Sequence, residues 1–235
     1  MNRTISAIAI GALALVSSHA AAQNVDMRFL DTGAGQDIKI WSDGYDGRVF
    51  AGQLIHEIRD DRERDSLSGV YTTFCVDVHE FVNSRFKEYR VSNLTDVPDA
   101  HPMSDAAAQA LNDIYAYAND AQLSESASDT FAAAFQIAVW EIVEDFDARE
   151  GVASLDINRG SFKAKKTNGW RLTGDIVDHI NGLFSAIGSG ARDQGLIALK
   201  SHHYQDQIIK VVPAPMTLAG FAGVGLAATR RRRRA

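Results

Sequence analysis

Asp37-Ile38-Lys39-Ile40-Trp41 alternates polar and apolar side chains, the period of a strand with one buried face. The turn-forming Asp43-Gly44-Tyr45-Asp46-Gly47 follows, and Val49-Phe50-Ala51-Gly52-Gln53-Leu54 then predicts a returning strand. Residues 60–65 are a run of charge, fit for an exposed hairpin tip or loop. Val70–Val78 is rich in β-branched and aromatic residues, and Phe86–Val91 alternates again. This spacing predicts an antiparallel sheet or sandwich for the first half.

The period then changes. Ser104-Asp105 caps a predicted helix through Ala108, Leu111, Ile114, Tyr115 and Ala118. Ser128-Asp129 opens a second, with Phe131, Phe135, Ala138, Val139 and Ile142 on its apolar side. A third is predicted from Gly174 to Ile187, and strands at Leu196–Leu199 and Gln207–Val212 close the domain. The expected fold class is α+β: an antiparallel β-sandwich or barrel-like sheet with a helical insertion at 104–147.

Both ends carry a different pattern. Arg3, an apolar stretch from Ala7 to Val16 and Ala20-Ala21-Ala22 have the order of a secretory signal cleaved before Gln23. From Val211 to Thr229 there is no charged residue, and Arg230, Arg231, Arg232, Arg233 and Arg234 follow. As a helix that stretch would reach about 28 Å, near a bilayer's hydrocarbon thickness. The arginines would hold its end in the cytoplasm. The expected organisation is a signal peptide at 1–22, a domain at 23–210 and a membrane-spanning tail at 211–235.

Charge and cysteine usage narrow the classes. Six of the 24 basic residues, and none of the 30 acidic ones, lie in residues 1–22 and 216–235, so residues 23–215 carry a net charge of −12. That balance argues against nucleic acid and anionic membrane surfaces as partners of the domain. Cys75 is the single cysteine, so no internal disulfide is possible. Outside the cytoplasm such a thiol is buried and inert, paired between chains, or reactive. His202-His203 lacks a one-face spacing, and the acidic runs at 60–65 and 144–150 lack the glycine and alternation of an EF-hand loop. They read as solvated charge, and neither metal nor cofactor is expected.

Two motifs carry candidate chemistry: Thr73-Phe74-Cys75-Val76-Asp77 on a strand, and Phe135-Gln136-Ile137-Ala138-Val139-Trp140-Glu141 on a helix. Taken singly, each is weak: a strand cysteine serves as a small hydrophobe, a helix glutamine faces water, and the tryptophan packs in the core. A cysteine hydrolase would need His79, His101 or His202 as base. His79, four residues along the strand, would lie about 13 Å from Cys75, beyond direct hydrogen bonding.

Together the motifs resemble the thioester domains of bacterial surface adhesins, over roughly Val49–Asp145. The resemblance places Cys75 at the thioester cysteine and Gln136 at its acyl donor, supported by Phe74, Asp77 and Trp140. It implies a self-reacting binding module rather than an enzyme. An amine-bearing target would take the Gln136 acyl group and free the thiol. The C-terminal layout of Val212-Pro213-Ala214-Pro215, apolar stretch and arginines resembles the PEP-CTERM sorting signal, with Ala214 where that family has Glu. That resemblance implies an exosortase-type processing partner and a route from inner-membrane tether to cell surface. The rival expectation is a structural matrix or envelope protein with this fold and no bond.

Overall fold

The computed structural model describes residues 23–61, 66–124 and 126–211. The expected signal peptide, the sorting tail from residue 212 and most of the charged tip at 62–65 lie outside them. Among the described residues no helix is long and apolar enough to cross a membrane.

Seven strands and three helices follow one another: β1 (Gln23–Ser42), β2 (Tyr45–Arg59), β3 (Gly69–Cys75), β4 (Lys87–Ser92), α1 (Asp105–Gln122), α2 (Asp129–Asp145), β5 (Phe162–Lys165), α3 (Asp175–Ser185), β6 (Leu196–Lys200) and β7 (Gln207–Lys210). All strand pairs are antiparallel. The order β2-β3-β7-β6-β4-β1 is closed by pairing of β1 with β2, and β5 joins the far end of β1. Of the two expected architectures, the barrel-like one is realised.

Alternation along the strands separates two cores. Val25, Met27, Ile58, Tyr89, Leu199 and Ile209 pack together, with Tyr71 against them, so every strand of the ring contributes to its interior. The neighbouring positions Phe74, Ala198 and Ile208 join a larger core built on the helices. At the centre of that core lies α2, buried at every position from Phe131 to Ile142. A helix apolar all round belongs between layers, and α2 packs on β1, β2, β3, β5, α1 and α3. Ser104 and Ser128 cap α1 and α2 by accepting from Ala107 N and Phe131 N, as their sequence positions predict.

One expectation needs correction, and two strand segments were not anticipated. β1 begins at Gln23, ahead of the expected start at Asp37, and runs through Asp31–Gln36. Register shifts at Phe29/Asp31 and Thr32/Gly35 absorb the irregularity, as bulges do. Gly35 faces Gly52 there, and a Cβ on Gly52 (φ +153°) would collide with Ala34 O and Gly35. β3 stops at Cys75, short of Val78, because Val76 N turns to Asp206 O and Asp77 accepts from His79 N. β5 has four residues, too few to show a period.

Candidate functional site

Cys75 ends β3 opposite Gln207 of β7. On the other edge, pairing with β2 stops at Leu54↔Thr73, so the Cys75 peptide groups need another partner. α2 supplies one. The Gln136 carboxamide accepts from Cys75 N at 3.0 Å through Oε1 and donates from Nε2 to Cys75 O at 2.8 Å. An amide buried in an apolar helix must be satisfied, and this one is satisfied by the Cys75 backbone alone. Cys75 and Gln136 are 2% and 1% exposed.

The thiol donates to Asp77 O at 2.8 Å. Burial pushes its pKa far up, Asp77 and Asp206 add to the rise, and the Trp140 indole opposes it. The indole N–H acts from outside hydrogen-bond geometry, since Trp140 Nε1 is buried with no acceptor of its own. Trp140 packs beside Phe162, ring centroids 5.9 Å apart. Phe74 locks β3 to the helices through edge contacts with Phe135 at 4.7 Å and Tyr115 at 6.2 Å. Asp77 is buried and turns the chain by accepting from His79 N at 2.8 Å. The five residues singled out in the sequence therefore meet around the end of β3.

A cavity of about 290 Å³ opens over Cys75, Gln136 and Trp140. Its walls include Phe29, Tyr45, Phe50 and Phe81, with Thr32, Arg48, Glu80 and Gln205 as polar members. Sequence reasoning missed these. Phe29 lies in the unpredicted part of β1, and Gln205 is brought in by β7, 130 residues from Cys75 in the numbering. Glu80-Phe81, just past the Cys75 motif, was the available signal.

Residues 72–180 match the thioester-domain family model. The matched stretch runs from within β3 to within α3 and contains Cys75 and Gln136. No curated protein and no solved structure matches the chain.

The histidines do not assemble with Cys75 in this thioester-domain-like region. His79 and His101 open onto a neighbouring cavity, and His202 pairs with Asp99 at 2.6 Å beside a third. Among the described residues no group of three or more His, Cys, Asp or Glu could hold a metal ion. Deeper in the ring, His56, Thr73 and Gln207 form a buried polar chain, with His56 Nδ1 2.9 Å from Thr73 Oγ1 and Thr73 donating to Gln207 at 2.8 Å. Burial lowers the His56 pKa to about 4, so it is neutral at physiological pH.

Proposed function

We propose that this domain forms an internal thioester between Cys75 and Gln136 and uses it to acylate an amine on a surface or matrix target. The observation that carries this reading is the Gln136 carboxamide seated on the Cys75 main chain, both residues almost wholly buried at the base of the cavity. The Cys75 N–H on Oε1 polarises the carbonyl and faces the charge that develops there during attack. Sulfur bonds to the Gln136 side-chain carbonyl carbon, the C–N bond breaks, and the thiol proton leaves with the nitrogen as ammonia. Because burial disfavours a free thiolate, proton transfer accompanies attack. In the second half, an amine takes the acyl group and sulfur regains a proton. Trp140 Nε1–H, lacking an acceptor, supports negative charge on the departing sulfur.

The same reading has the domain exported and displayed. The signal at 1–22 directs it across the inner membrane, the tail after Val211 tethers it, and an exosortase-type enzyme acts near Val212–Pro215. A structural envelope protein without the bond is the alternative, favoured by the Cys75 thiol resting on Asp77 O.

Intact mass of the purified 23–210 domain decides between them. A mass one ammonia below the sequence value, a thiol silent to reagents, and an amine adduct on Gln136 with one thiol exposed are the expected results. Cys75→Ala and Gln136→Ala each abolish both effects. A full sequence mass with a titrating thiol overturns the covalent function and leaves the non-covalent module.

A further inference from the structure

The cavity wall that faces the Cys75–Gln136 pair is aromatic and aliphatic apart from a few polar groups, and one of these is a carboxylate. Glu80 follows the turn that Asp77 makes, so the turn that ends β3 also sets its place at the mouth. Its backbone is pinned, since Gln205 Nε2 donates to Glu80 O at 2.9 Å and Gln205 N to Phe81 O at 3.2 Å. Its Oε2 is shut off from solvent and has no hydrogen-bond partner. Phe81 beside it is 73% exposed and forms an aromatic lip. A desolvated carboxylate oxygen without a donor, behind an exposed ring, suits a cation carried on an apolar stem.

We propose that Glu80 receives the target's ammonium at the mouth of this cavity and takes its proton, delivering the neutral amine to the acyl group. This rests on the thioester reading above. An alkylammonium has no lone pair, so a proton must leave before attack. Glu80 carboxylate accepts it, and the amine nitrogen then bonds to the Gln136 carbonyl carbon. The C–S bond breaks, the nitrogen's second proton passes to the Cys75 sulfur, and Glu80 releases its proton to water. Atoms and charge balance without a further reactant.

Burial raises the Glu80 pKa, Asp77 and Asp99 raise it further, and His203 and His202 lower it. Arg48 shares the cavity, and His79, His101 and Glu144 face Glu80 across the adjoining one. The elevated pKa makes Glu80 a stronger base than a solvated glutamate.

The test uses the wild-type domain and Glu80→Gln, with methylamine (an ammonium at neutral pH) and methoxyamine (already neutral there) as probes. Mass deficit by one ammonia shows first that each protein is folded and carries the thioester. Methylamine consumption by Glu80→Gln is expected to be about a hundredfold slower at neutral pH and to keep rising with pH as free methylamine accumulates, where the wild-type rate levels off once Glu80 is ionised. Methoxyamine is expected to react with both proteins at similar rates. Equal methylamine rates and profiles overturn the role of Glu80 while leaving the thioester standing. An equal slowing of both probes overturns it too, since that is a blocked cavity rather than lost proton transfer. A wild-type protein of full mass removes the parent reading, and this one with it.

Discussion

Glu141 adjoins Trp140 and has 0% exposure. Its Oε1 accepts from Asp156 N at 2.6 Å, while Oε2 is buried without a partner. Burial pushes its pKa up to about 8, with Asp145 adding to the rise. The fold therefore keeps a proton that the unfolded chain gives up near the ordinary glutamate value. That contribution to stability is complete below the unfolded pKa and is lost as pH rises towards 8. Burial pushes Asp206 the same way, to about 7. Stability should fall between pH 5 and pH 8, and Glu141→Gln should flatten the fall, gaining stability at pH 8 relative to wild type by a few kcal/mol. Denaturant midpoints of both proteins at the two pH values check this. Parallel curves would mean that Glu141 is ionised in the fold.

At the scale of elements, α2 is both the central support of the helical core and the arm that presents Gln136. Trp140 stands one turn beyond Gln136 and is 3% exposed, so its packing against Phe162 helps fix the helix over β3. Trp140→Ala should cost about 3–5 kcal/mol in urea unfolding. A loss below about 1 kcal/mol would show that the helix is held some other way. Both long helices were legible in the sequence because serine caps and a 3.6-residue period agree there. The elements that carry the motif residues Phe74, Cys75, Gln136 and Trp140 were legible as well, whereas Asp77 lies past the end of β3. The part of β1 before Asp37 was not. Its Asp31–Gln36 stretch is turn-like, and pairing with β2 keeps it extended. Phe29 reaches the cavity through that same pairing. Local propensity holds no information about a partner 20 or more residues away.

For the whole molecule, a closed antiparallel ring leaves few open strand edges, and a domain of net charge −12 resists self-association. Both suit the proposed display outside the cell without a disulfide. On that proposal, delivery rests on residues 1–22 and 211–235. Replacing Arg230–Arg234 with neutral residues should then release the protein from the membrane or invert its tail, because these charges would orient the span. Protease accessibility in spheroplasts, compared with the intact chain, measures this. Unchanged retention and topology would overturn the proposed tether.

The hydrogen bond from Gln136 Nε2 to Cys75 O would not survive formation of the proposed thioester. A thioester has no nitrogen at the acyl carbon, so making the bond leaves Cys75 O deep in the protein without its donor. An incoming primary amine restores an N–H at that carbon as the secondary amide forms. On the proposed chemistry the armed molecule would be the one with a missing contact, and capture of the target would repair it. Such a device would be set once, fire once and have no internal reason to let go.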